Sequence, residues 1–156
     1  MPRASREDVF NALFNIGKAI TWTSPYTGGA FIETSRRVKL FADVASGQQP
    51  ALFQAEHNEE SSQATNMPYK LIWDAQWVIY QCVGRADKAL GAVENNLILD
   101  AVYAALQPTP GDPGYPQRQT LERLVHHCYI NGKIFKDPGD IDKQGMMTVP
   151  IRMLIP

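Results

Sequence analysis

At 156 residues, with 44% hydrophobic and 20% charged side chains, the chain has the size and composition of one soluble globular domain spanning 1–156. Its 15 Lys and Arg against 16 Asp and Glu give a formal net charge of −1, which excludes a global field drawing the chain to nucleic acid or anionic lipid. Any such contact has to come from a local patch.

The opening MPRASREDVF has no apolar h-region, and no run approaches the ~18 apolar residues needed to cross a bilayer, so the expectation is a cytosolic protein with no membrane partner. Ser5 is placed to cap a helix whose Val9, Leu13, Ile16 and Ile20 recur at helical spacing, with Phe10 and Phe14 widening the stripe. Glu7 and Asp8 in its first turn suit the helix dipole. Pro25, Gly28 and Gly29 then punctuate a loop.

Phe31 to Phe41 and Ala51 to His57 favour strands, either a hairpin or two neighbours, separated by a turn at DVASGQQP. EHNEESSQATNMP reads as a solvent-reaching loop because it has no hydrophobic period. Tyr69 to Val83 is the strongest predicted strand, with Leu71, Trp73, Ala75, Trp77 and Ile79 on one face and Ile72, Asp74, Gln76, Val78 and Tyr80 on the other. Large residues on both faces predict two covered faces, one by helices and the other by a second subunit.

A second helix is predicted from about Ala92 to Leu106, with one row at Leu90, Val93, Leu97, Ala101 and Ala104 and the next at Ile98, Val102 and Ala105. QPTPGDPGYPQ excludes regular structure and predicts an extended arm. Leu121 to Tyr129 and Ile134-Phe135 read as a hairpin with Asn131-Gly132 at its tip, although Leu121 to Leu124 also fits one helical turn. After the turn DPGDIDKQG, Met147, Val149, Ile151, Met153 and Ile155 alternate as a closing strand, in which Pro150 argues for an edge or an outward-facing nitrogen. The expected class is α+β, with a mainly antiparallel sheet and two main helices packed on one face.

Chemical candidates are few. Cys82 and Cys128 stand in segments that read as buried strands, with no CxxC or Cys/His zinc spacing around them, so reduced core thiols are expected. His126-His127-Cys128 contains a thiol and two bases, yet strand alternation puts only His126 on the side of Cys128, and no nucleophile turn or oxyanion loop flanks them. Asp137, Asp140 and Asp142 resemble part of a hard-cation loop but lack the closing bidentate Glu. No phosphate-cradling glycine motif occurs, so no catalytic, metal or cofactor-binding residue is expected. Arg36, Arg37 and Lys39 form the one compact basic cluster, read either as a solvated or ion-paired strand face or as a DNA-contacting lumen lining. Alternation would put Arg37 and Lys39 on one face and Arg36 on the other, paired within its own subunit.

SREDVFNALFNI, Ser35-Arg36-Arg37, Phe41-Ala42-Asp43-Val44, Gln49-Pro50-Ala51-Leu52-Phe53, NLILDAVYAAL from Asn96, Thr120-Leu121 with Leu124-Val125, and the closing VPIRMLIP occur in an order that resembles the bacteriophage tail terminator or tail-completion family. Glu122-Arg123 departs from that pattern, where small residues such as glycine are usual. The resemblance implies a structural virion protein without enzymatic activity. It implies a homo-oligomeric, six-membered ring that caps the head-proximal end of the tail tube, touching the major tail tube protein and the head-side connector, with transient contact to phage DNA in the lumen. Such a protein resides in the neck region of the virion and in host cytoplasm during assembly. The candidate interface or lumen residues are Arg37 and Lys39, the loop residues Asn58, Glu59, Glu60, Gln63 and Asn66, and the arm residues Pro110, Asp112 and Tyr115. Two alternatives remain open: a head-closure or adaptor neck protein, and a small hydrolase using Cys128.

Overall fold

The computed structural model describes residues 4–63, 70–86, 88–108 and 117–156. Helix α1 spans Arg6–Lys18, strand β1 Glu33–Ser35, β2 Ala51–Ser62, β3 Lys70–Gln81, helix α2 Gly91–Ala105, β4 His127–Ile130, β5 Phe135–Asp137 and β6 Gly145–Ile155. The six strands form one sheet in the order β1-β2-β3-β6-β4, with β5 also paired to β6. All pairings are antiparallel except β1 with β2, so the class is α+β with a mainly antiparallel sheet.

Helix α1 begins as its sequence dictates: the Ser5 hydroxyl accepts from the Asp8 amide at 3.1 Å, satisfying one of the donors that a helix start leaves free. Its buried residues Val9, Phe10, Leu13 and Gly17 face the sheet. Gly17 permits close approach there, since a Cβ at this position would stand 2.9 Å from the Trp77 ring. The main core lies between this face of the sheet and the two helices, with Trp73, Trp77, Ile79, Met147, Val149, Ile151 and Met153 all essentially inaccessible. Each such side chain contributes roughly 1.5–3 kcal/mol of burial. Strict alternation along β6, with every second residue from Gly145 to Ile155 buried, is the pattern expected for the closing strand.

Several expectations need correction. The run Phe31 to Phe41 yields a strand of only three residues, because after Ser35 the chain bends across the sheet face opposite the helices and forms a short 3-10 turn at Phe41–Asp43. It makes no hairpin with β2 either, the two running parallel. Phe41 and Val44 then cover Phe53, Val78 and Tyr80, so a second, smaller core closes part of the far face from within the chain. The polar segment from Glu56 is strand through Ser62, paired to β3 beyond a bulge between Glu56 and Glu59. The ladder to a strong neighbouring strand overrides its low hydrophobicity.

Helix α2 starts and ends where expected, but its buried face is Gly91, Glu94, Asn95, Ile98 and Val102, rotated from the predicted rows, and Leu90 is exposed. Asn131-Gly132 does not close a hairpin. β4 pairs with residues 151–154 of β6 and β5 with residues 146–148, so the two strands lie in tandem along one side of β6. Pro150 falls in the gap between them. Its carbonyl accepts from Asn131 on that side, and since a strand residue points N and O the same way, its nitrogen faces the same gap. β6 is thus an interior strand that tolerates proline where no partner needs a donor.

Residues Leu121, Glu122 and Arg123 have φ of 49, 59 and 70°, a left-handed turn built without glycine. It is neither the expected strand nor a right-handed helical turn. Thr120 steadies it: its hydroxyl accepts from Arg123 N–H and its carbonyl from Val125 N–H, both at 3.1 Å. The proline arm from residue 109 to 116, with Pro110, Asp112 and Tyr115, lies outside the described residues, as does Asn66.

Candidate assembly surfaces

The basic cluster divides differently from the strand expectation. Arg36 is half-buried and bridges α1 to β2, bonding both Glu7 oxygens at 2.9 and 3.2 Å and Glu56 at 2.8 Å. Those bonds hold the Glu7 carboxyl below its ordinary value and raise Arg36. Lys39 pairs with Glu33, while its carbonyl accepts from the Tyr80 hydroxyl at 2.7 Å. Arg37 alone is exposed and makes no ion pair among the described residues. The alternation argument therefore fails for Lys39, because residues 36–40 are not a strand.

Around Arg37 the chain exposes aliphatic residues: Ile32 is 57% accessible, Val38 43% and Leu40 73%. The segment is nevertheless held firmly. Arg36 ties down its start, and the Tyr80–Lys39 bond with the Phe41–Tyr80 edge contact ties down its end.

Asn58, Glu59, Glu60 and Gln63 occupy the distal half of β2 and the residue beyond it, not a loop. Glu59 forms a two-pronged pair with Arg6 at 2.8 and 2.9 Å, which lowers the Glu59 carboxyl and raises the guanidinium, itself 4.9 Å above the Trp73 ring. Asn58, Glu60 and Gln63 are exposed. β1 pairs only with residues 51–53, so among the described residues the outer edge of β2 from 54 to 62 has no neighbouring strand.

On the helix layer, a groove of about 690 Å³ runs between α1 and the left-handed turn. Ala12, Ile16 and Leu124 supply its apolar surface, and Asp8 and Glu122 carry its carboxylates. It opens on the flank of α1 that turns away from Val9, Phe10, Leu13 and Gly17.

The catalytic candidates do not converge. Cys128 is fully buried and its thiol is pushed up to about 12 by that burial. His127, the residue before it on β4, points to the opposite face and stacks on Tyr129 at 4.9 Å; burial lowers its pKa, and its Nδ1 has no partner among the described residues. His126 is exposed ahead of the strand. Cys82 is half-buried at the end of β3, not in the core as expected, and its thiol is also raised by burial. Asp137 and Asp142 each accept from a nearby backbone amide, and no group of three metal-ligating residues occurs among the described residues. No described helix is long and apolar enough to cross a membrane.

Sequence reasoning missed the buried polar groups that hold the ends of these surfaces. Glu94 accepts from Trp22, Ser24 and Thr27, pinning the loop after α1 onto α2. Gln81 donates to Gly91 O and Pro138 O and to Asn95, whose own amide donates to Asp137 O. The available signal was an acidic residue inside the apolar rows of α2. No family model matches the chain, and no curated protein matches it.

Proposed function

We propose that this protein is a structural subunit of a phage tail, of the tail-terminator kind, which assembles with copies of itself into a six-membered ring at the head-proximal end of the tail tube. The ring ends tube growth and offers a surface to the head-side connector. One observation carries the self-assembly: Val38 and Leu40 are exposed on a segment that is anchored at both ends, with Ile32 exposed just ahead of β1. Apolar side chains presented on a held backbone lose little entropy when a partner covers them, which suits an interface. The choice of a tail ring rests on the ordered sequence resemblance.

Sedimentation and negative-stain imaging of the purified protein, alone and mixed with tubes of major tail protein, test the reading. Six-fold rings seated on one end of tubes of limited length are expected. A protein that stays monomeric and leaves tube length unchanged overturns it.

A further inference from the structure

We infer that the strip Arg37–Leu40 of one copy docks into the groove between α1 and the Leu121–Leu124 turn of the next copy. The inference rests on the self-assembly proposed above and names the two halves of the contact.

The strip offers two exposed aliphatic side chains, Val38 and Leu40, beside one cation that has no ion pair among the described residues. The groove offers the complement: apolar walls from Ala12, Ile16 and Leu124, with carboxylates from Asp8 and Glu122. Its volume of about 690 Å³ is in the range of sites that enclose ligands larger than two such side chains. Arg37 placed against Glu122 or Asp8 gives this cation a carboxylate that the described residues of its own subunit do not supply.

Placement decides who the occupant is. The strip crosses the sheet face opposite the helices, where Lys39 meets Tyr80 and Phe41 covers it. The groove lies on the helix layer, on the flank of α1 away from the sheet. The Lys39–Leu40 end of the strip, held at Tyr80 on the far face, therefore cannot enter the groove of its own subunit, although Arg36 at the other end reaches Glu7 on α1, and a contact between two different patches of identical chains is head-to-tail. That geometry propagates from copy to copy and gives a ring when its rotation closes. The exposed edge of β2 is a poorer receiver, because its Glu56 and Glu59 are already engaged by Arg36 and Arg6.

The test uses the full chain carrying Cys82→Ala, which removes the half-buried thiol. Leu40→Cys and Asn15→Cys variants are prepared separately and mixed under mild oxidation. A disulfide-linked dimer is expected in the mixture and in neither variant alone, and a chain with both substitutions should give a ladder of covalent multimers. In parallel, Arg37→Glu and Glu122→Arg should each reduce assembly at least tenfold by sedimentation, and the double reversal should restore it. If wild-type protein forms rings but the mixed cross-link is absent, the docking is overturned while the ring stands; this covers occupation of the strip by tube protein or DNA. Cross-linking of Leu40→Cys with itself overturns the head-to-tail contact. Wild-type protein that never self-associates, with or without tubes, overturns both readings.

Discussion

Trp22 and Glu94, 72 positions apart, are joined by an indole N–H that donates to the Glu94 carboxylate at 2.8 Å. Ser24 and Thr27 donate to the same carboxylate, so a fully buried acid is satisfied by three neutral donors from one loop. Hydrogen bonds to a charged group are worth more than neutral ones, and removing their shared acceptor leaves all three donors stranded. The strength of this attachment is measurable.

Glu94→Ala should lower unfolding stability by roughly 3–5 kcal/mol, three unsatisfied donors at about 1–3 kcal/mol each with some relief from water. Glu94→Gln should lose less, since its amide oxygen still accepts while its NH2 faces donors. Urea melts of both variants decide it. Equal, small losses would mean that the loop does not depend on this acceptor.

Arg36 and Arg37 are adjacent and should behave oppositely. Arg36→Ala removes the link between α1 and β2 and should lower the thermal midpoint by a few degrees, with the effect shrinking in high salt. Arg37→Ala should leave the midpoint unchanged and reduce assembly. A thermal melt paired with sedimentation on each variant checks both halves of the statement.

In native protein a thiol reagent should modify Cys82 slowly and leave Cys128 untouched until unfolding, because burial raises both and encloses Cys128 completely. A thiol whose folded value is raised stabilises the fold while both states are protonated. Stability should therefore be steady below the ordinary value of 9.0 and fall as pH climbs from there toward about 12. Tyr80, also raised by burial, adds to the same fall. Cys128→Ala should flatten this alkaline decline, as read from urea midpoints across that range, and should still assemble.

Glu122, at φ 59°, sits where a side chain is strained. Glu122→Gly relieves about 1–2 kcal/mol of left-handed backbone strain and costs about 0.5–1 kcal/mol of chain entropy, for a net gain of roughly 0.5–1 kcal/mol. Chemical denaturation should show a higher midpoint. A lower one would mean that Glu122 makes a contact worth more than its strain.

The elements with strong periodicity were legible in the sequence. Ser5 capping, the inward stripe of α1, both faces of β3 and the alternation of β6 all follow from local pattern, and the core position of Trp73 and Trp77 follows with them. Pairing was harder, because it is a property of two segments. Nothing in HNEESS announces a strand until β3 is beside it, and the Asn131-Gly132 pair looks like a hairpin until β6 takes both flanking strands. The candidate surfaces were read only in part: Arg37 is exposed with no ion pair among the described residues, Lys39 and Glu59 are committed inside the subunit, and the groove beside α1 depends on a turn whose handedness no residue type there signals.

The placement of β6 carries a consequence for how the chain is made. Its partners β3, β4 and β5 all precede it, and β3 ends 64 positions before β6 begins, at Gln81 and Gly145. While a ribosome is still translating that interval, β3 shows a bare edge and a row of tryptophans with half their lining absent. A nascent polypeptide in that condition exposes apolar surface and a strand edge that only later segments cover. The sheet therefore closes only once residues 145–155 have been made.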